Sequence, residues 1–228
     1  MSKKFLVLTA VTDNKDTLQE PQVVFDNCDY IAVTDRQYDV GVWNQQPIIR
    51  FSTIDNFHHR RNAKVYKVLS TIFFPDYEYI VWMDGTHQLK ANPESILQQY
   101  GDADLYAFKH LVRDCVYEEL KAVSGGVEYR PVAKQHYNYY KFVNMPTHYG
   151  LNEASCMVKK NSSKMKILEL SWWEQICKFS SRDQCSLNYC LWQLDKSNVG
   201  FVTKYITGSA NIPNGNGYFE KERNHNYN

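Results

Sequence analysis

No apolar run in this sequence approaches the about 18 residues that a membrane-spanning helix needs. Charge of one sign is equally scarce: 26 basic residues stand against 25 acidic ones, a formal net charge of +1. That balance excludes a protein that grips nucleic acid through bulk charge. None of the six cysteines lies in a C-x-x-C pair, so a zinc site or redox pair is not signalled. A chain of 228 residues does not need disulfides to fold, and the thiols are expected to be reduced and mostly buried, as in a cytosolic-type compartment. A G-x-G-x-x-G dinucleotide fingerprint, a phosphate-cradling P-loop and a nucleophile elbow are all missing. Internal repeats and low-complexity linkers are missing too. One domain is therefore expected over residues 1–211, followed by a polar tail, 212–228, rich in Asn and Gly and either frayed or ordered by a ligand. At the start, Phe5–Val11 is short for a secretory signal, and polar Thr12–Lys15 stands where a cleavage site would fall. A first β-strand explains that run better.

What remains is ordinary globular composition, 43% hydrophobic and 22% charged, with many aromatics, 17 of them tyrosine. Tyrosine offers a flat apolar face and a hydroxyl, which suits both cores and polar-ligand surfaces. Strands are expected at 5–11, 29–35, 47–51, 79–83, 104–109, 151–159 and 200–205. Helices are expected at 58–74, from 92 onward, and at 114–123, 128–143, 162–178 and 181–194. Tyr79–Met83 is apolar throughout, the pattern of a central strand covered on both faces. Asn92 and Pro93 read as a helix N-cap and first helical position. Strands alternating with helices predict an α/β fold with a mainly parallel central sheet flanked by helices. In such sheets ligands bind at the carboxyl ends of strands, so polar residues directly after strands are the candidates.

The sharpest candidate is Trp82-Met83-Asp84-Gly85-Thr86-His87. A carboxylate ends the central strand, a glycine permits a tight turn, and an oxygen or imidazole ligand follows. That set suits a hard divalent cation sharing its shell with phosphate oxygens; an Asp-Gly turn between two strands is the plain alternative. Asp183 sits in the first turn of an expected helix, where the macrodipole favours a carboxylate. With Gln184 it offers the donors and acceptors that grip sugar hydroxyls. Asn152 and Glu153 precede a strand and either bind hydroxyls or shape a loop. His110 and Arg113 follow a strand end, within reach of a diphosphate or an acceptor unless they belong to a capped helix. His58–Lys64 is a basic helix start, with Arg61 and Lys64 able to meet a nucleotide diphosphate or simply face water. His225, alone in the tail, is idle unless something else recruits it.

Together these segments resemble the glycosyltransferase-like family of the plant TOD-type and mucilage-related MUCI-type proteins. The matching blocks are Asn62 to Pro93, with Phe74-Pro75, Trp82-Met83-Asp84-Gly85 and Asn92-Pro93; His110 with Arg113 to Glu119; Gly150-Leu151-Asn152-Glu153; and Trp172-Trp173-Glu174 followed by Arg182-Asp183-Gln184-Cys185-Ser186. They run in order over most of the chain. The family implies a single GT-A type domain that binds a nucleotide sugar. Asp183-Gln184 with Leu187-Asn188 is also similar to the D-Q-x-x-L-N pattern of glycosyltransferase family 8, Asn152 stands where that family has its sugar-contacting N-x-G segment, and its D-x-D would fall at Asp84-Gly85-Thr86. Thr86 replaces the second acid, which puts metal dependence in doubt.

The resemblance thus implies transfer of a sugar from a nucleotide diphosphate, a UDP-sugar first, to a hydroxyl of a glycan or glycolipid. Mn²⁺ or Mg²⁺ would be held by Asp84, Thr86, His87 and His225 as a Lewis acid on the diphosphate. Ala10, Val11 and Thr12 would cradle the base, with Arg61, Lys64, Asp84 and Gly85 along the nucleotide. Asn152, Glu153, Asp183 and Gln184 would orient the donor sugar, and Asp183 would steady positive charge on it. The family 8 likeness leans toward a retained anomeric configuration; an inverting reaction would need Glu153 or Asp183 as general base. His110 and Arg113 would serve the acceptor or the diphosphate. A carbohydrate- or nucleotide-binding protein without catalysis is the alternative that Thr86 favours. A metal-dependent hydrolase fits worse, because its several acids are not found near Asp84. A cytoplasmic setting is expected, with work at a membrane surface allowed, no nucleic acid partner, no integral membrane segment, and the oligomeric state open.

Overall fold

A computed structural model describes residues 4–13, 15–49, 58–123 and 130–222. The elements run β1 (Phe5–Val11), β2 (Cys28–Thr34), β3 (Asn44–Pro47), α1 (His58–Val68), α2 (Ser70–Phe73), β4 (Tyr79–Met83), β5 (His87–Leu89), α3 (Glu94–Tyr100) and β6 (Leu105–Lys109). They continue α4 (Val116–Val123), α5 (Arg130–Phe142), β7 (Asn152–Lys160), α6 (Ser163–Lys178), α7 (Gln184–Lys196), β8 (Thr203–Tyr205) and β9 (Phe219–Lys221). Seven strands form one sheet in the order β3-β2-β1-β4-β7-β6-β8. β7 alone runs against its neighbours, antiparallel to both β4 and β6, while the other pairs are parallel. β4 lies at the centre with all five residues buried.

The two faces of the sheet carry two cores. Along β1, Leu6, Leu8 and Ala10 join one core, under α1 and α4–α7; Phe5, Val7 and Val11 join the other, with Ile96 of α3 and Phe219 of β9. Side chains of a strand alternate between faces, so one apolar run feeds both layers.

The helical stretch expected over 58–74 is broken at Leu69, and the cause is buried charge. Lys159 on β7 donates from Nζ to the carbonyls of Lys67 (2.6 Å) and Val68 (3.0 Å), which would otherwise continue the helix ladder. Its partner Glu169 on α6, 2.9 Å away, accepts from the Thr71 N–H and from the Ser70 and Thr71 hydroxyls. Side chains inserted into the i→i−4 ladder bend or split a helix. Neither Lys159 nor Glu169 has any exposed surface.

Other differences from expectation are local. The third strand is Asn44–Pro47 rather than 47–51, and just past it the Ile48 N–H still donates to the Thr34 carbonyl at 3.0 Å. The start of α3 follows expectation, with the Asn92 side-chain oxygen accepting from the Glu94 N–H (3.0 Å). The segment expected as a tail is built in as far as Glu222: β9 pairs antiparallel with β5, and Phe219 is fully buried. Gly125-Gly126, the end of the 47–51 segment and His225 lie outside the described residues. All six cysteines are free and five are buried. Among the described residues no helix is long and apolar enough to cross a membrane.

His136 on α5 is fully buried, stacked on Phe179 (4.6 Å between ring centres) and edge-on to Tyr140 (4.4 Å), and neither ring nitrogen has a hydrogen-bond partner. Burial pushes its pKa down from 6.5 to about 3. The unfolded chain therefore binds a proton below 6.5 that the folded one refuses, so stability falls as pH drops from 6.5 toward 3. We expect His136→Phe to remove that slope, gaining about 2 kcal/mol over the parent at pH 5 in urea unfolding and little at pH 8. In the same assay at pH 7, Glu169→Ala should cost ~3–5 kcal/mol, since it strands a buried ammonium, while Glu169→Leu combined with Lys159→Met should cost far less.

Candidate active site

A cleft of about 380 Å³ opens at the carboxyl ends of β1 and β4, between the start of α1 and the start of α7. Its walls bring together residues from five separate stretches of chain: Ala10 to Asp16, Arg60 to Lys67, Trp82 to Gly85, Ala154-Ser155, and Ser181 to Gln184, with Asn211 at the rim. Lys64 and Lys67, three positions apart on α1, share a face. Asp84 follows the last residue of β4, and Asp183 precedes the first residue of α7.

These four charges interlock. The Lys67 ammonium is 2.5 Å from Asp183 and 3.2 Å from Asp84, and Lys64 reaches the same Asp183 oxygen at 2.8 Å. The Trp82 indole N–H donates to Asp84 at 2.9 Å, and the Asp84 N–H donates to the Ser155 carbonyl at 2.8 Å. Lys67 has a side chain only 1% exposed. Burial works against its charge, but Asp183 and then Asp84 overcome it and raise its pKa. Burial likewise opposes ionisation of Asp183, and Lys64 and Lys67 outweigh it, holding this carboxyl well below the usual range; Asp84 is lowered by the same two ammonium groups. Lys64 goes the other way, lowered by burial more than Asp183 restores it.

Two backbone features open the wall. β7 carries an irregularity opposite Ala107: Tyr106 pairs with Val158, whereas Phe108 pairs with Glu153. The extra residues turn Ala154 and Ser155 into the cleft, as bulges do beside binding sites. Gly85 is required for closeness and not for an unusual backbone angle. A Cβ there would stand 3.0 Å from Val11 Cγ2 and 3.2 Å from the Asp16 side chain.

Of the residues singled out in the sequence, Ala10, Thr12, Lys64, Asp84, Gly85, Asp183 and Gln184 line this cleft. Val11 points into the opposite core, as strand alternation demands. Arg61 donates to the Phe179 carbonyl at 3.2 Å, while its neighbour Arg60 takes the place on the wall. Glu153 is turned away: its carboxylate accepts from the Ser209 hydroxyl (2.8 and 2.9 Å) and the Ala210 N–H (3.2 Å), and it anchors the segment before β9. Asn152 is fully buried, with its N–H donating to Asn188 Oδ1 at 2.9 Å. His110 Nδ1 accepts from the N–H groups of Val112 and Arg113, and the Arg113 guanidinium pairs with Glu119 at 2.8 Å. Both therefore serve the loop ahead of α4. Lys67, Lys15 and Asp16 are charged wall residues that sequence reading missed, while Arg60 and Arg182 lie within segments it singled out without a role of their own. Lys67 had one usable signal, a lysine between Tyr66 and Val68 on the apolar side of α1.

Among the described residues the donors expected for a divalent cation are not brought together. Thr86 Oγ1 bonds to His87 Nδ1 at 3.0 Å, both residues are buried, and neither lines the cleft. Burial lowers the His87 pKa. Of the expected set Asp84 alone lines the cleft, with its Oδ1 engaged by Lys67, and His225 lies outside the described residues. Among the described residues no group of three His, Cys, Asp or Glu side chains is placed to hold a metal ion.

Comparisons with known proteins agree with this architecture. The family described as TOD1/MUCI70, glycosyltransferase-like domain, matches residues 26–205. A protein of Arabidopsis thaliana named "Probable hexosyltransferase MUCI70" is 24% identical over 161 residues, which is 65% of this chain and 27% of that protein. The chain thus spans about a quarter of that relative's length. Among solved structures, the bifunctional glycosyltransferase WbbM superposes with a TM-score of 0.52 at 11% identity, covering 90% of this chain and 39% of that one. The galactosyltransferase LgtC, solved with donor and acceptor sugar analogues, gives 0.50 at 11% identity over 90% of this chain and 74% of its own. These likenesses show the fold, a single α/β layer structure of GT-A type.

Because Lys67 neutralises two carboxylates at once, Lys67→Met should lower stability by ~3–5 kcal/mol at pH 7 in denaturant unfolding. The depressed pKa of Asp183 contributes stability that is complete above the unfolded carboxyl's value, about 3.9, and is lost only below it. The gap between variant and parent should therefore hold from pH 7 to about pH 4 and narrow under more acid conditions.

Proposed function

The chain belongs to the TOD1/MUCI70 glycosyltransferase-like family, and on that premise we propose that it moves a hexosyl group from a nucleoside diphosphate sugar, a UDP-sugar first, to a hydroxyl of a glycan or glycolipid. The observation that carries this reading is the placement of Asp183, an ionised carboxylate on the wall of a strand-end cleft, fixed by two lysines and followed by Gln184.

The base would lie against Ala10 and Thr12 at the end of β1, the diphosphate against the α1 lysines, and the sugar toward Asp183 and Gln184. When the C1–O bond to the diphosphate breaks, its electron pair stays on the phosphate oxygen. The acceptor hydroxyl oxygen bonds to C1, and the hydroxyl proton passes to the departing diphosphate. Positive charge gathers on the sugar ring in between, and a carboxylate already ionised and held in place stabilises it without reorganising. Asp183 suits that task and not proton abstraction, because a base works best with a pKa near the operating pH. Glu153, the other candidate base, is committed to Ser209 and Ala210. Both points favour retention of anomeric configuration.

Asp183→Asn should lower kcat by ~10²-fold or more with little change in nucleotide affinity, and NMR of the product should show the donor's anomeric configuration. An inverted product would remove the argument for retention. Nucleotide and glycan binding without turnover by the parent protein would instead establish the non-catalytic binding reading.

A further inference from the structure

One oxygen of the strand-end carboxylate that would bind a divalent cation, Asp84 Oδ1, is already engaged by an ammonium group. We propose that in this chain Lys64 and Lys67 take over the charge compensation of a divalent cation, so that the donor's diphosphate is held by side-chain cations and binds without metal. The proposal rests on the donor reading above and goes past it by assigning the diphosphate site and its metal independence.

Four observations support it. Asp84 accepts from Lys67 and from the Trp82 indole, so the oxygen it turns toward Lys67 is not available to a cation. The Lys67 ammonium is held between Asp84 and Asp183. Its helix is pinned from behind by Lys159, which takes its backbone carbonyl at 2.6 Å, and its own side chain is surrounded by protein. A divalent ion at Asp84 would therefore sit beside a fixed positive charge in a poorly solvated site, where Coulomb repulsion is strong. Thr86 and His87, two of the three side chains expected to complete a metal shell, bond to each other outside the cleft. Finally, the wall carries five cations, Lys15, Arg60, Lys64, Lys67 and Arg182, against three carboxylates, Asp16, Asp84 and Asp183. The wall thus carries two more cations than carboxylates, an excess that matches an anionic diphosphate. Lys64 is the one best placed to receive it: its side chain is 23% exposed, and Asp183 keeps Lys67 when Lys64 turns to a ligand.

The test is calorimetric titration of the intact protein with UDP, GDP and ADP and with the corresponding nucleosides, in EDTA and then in Mn²⁺ or Mg²⁺. We expect one nucleoside diphosphate to bind in EDTA with a Kd within about threefold of its value with metal. Lys64→Gln should weaken that diphosphate by ~10-fold or more while leaving the nucleoside unchanged, as loss of a charge-assisted contact requires. The parent protein in EDTA needs no variant, so a misfolded mutant cannot obscure the answer. Binding that collapses ~10-fold or more on chelation would overturn the proposal and leave the donor reading standing. Equal diphosphate affinity in Lys64→Gln would overturn the assignment to the lysines. Absence of binding to any nucleoside diphosphate, with or without metal, would overturn the donor reading and the proposal together.

Discussion

A lysine ammonium sealed from water stays charged only if carboxylates meet it. Lys67 is such a group, and its two partners come from separate stretches of the chain: Asp84 from the end of the central strand, Asp183 from the start of α7. Satisfying one buried charge thereby fixes three elements against one another, and the cleft is the space between them. A buried ion pair of this kind is a poor source of net stability, since desolvation consumes most of its Coulomb gain. What it supplies is geometry. Displacing Asp183 would leave Lys64 without its carboxylate and Lys67 with Asp84 alone.

Lys159 lies directly behind this cluster. It interrupts the helix between Lys67 and Ser70 and holds the carbonyls thus released, with Glu169 taking the exposed N–H on the far side. Two buried lysines thus act in series, one fixing the backbone of α1 and the next projecting from that backbone into the cleft. Glu153 does comparable work on the other wall, where it ties the chain before β9 to the sheet through Ser209. The polar groups around the cleft are engaged in holding the elements that form it, which is what a preorganised site requires.

Much of this was legible in the residues. The apolar run Tyr79–Met83 announced a central strand, and the polar break after it placed Asp84 correctly at the strand end. Asp183 and Gln184 were found for the same reason, through a helix start. The short strands β5 and β9 were not, since three residues are too few to show a period. The break in α1 was invisible because its cause lies on β7 and α6, far along the chain. Lys67 was overlooked because a lysine is read as solvated until its counter-charges are known. Glu153 was credited with chemistry because an acid before a strand looks the same whether it faces a ligand or a serine. These are facts of tertiary partnership, which periodicity and spacing do not carry.

The reversed strand β7 has a further consequence. Its place is between β4 and β6, yet it follows both in the chain. During synthesis β1, β2 and β4 can pair as soon as they emerge, leaving β4 as the border of a partial sheet. That border is apolar throughout, and its unpaired N–H and C=O groups are a template for any other extended segment. Until β7 arrives with Val158 to face Val81, this wholly buried strand is an open edge. The strand that shapes the cleft wall through its bulge is therefore also the one whose arrival ends the chain's exposure to aggregation.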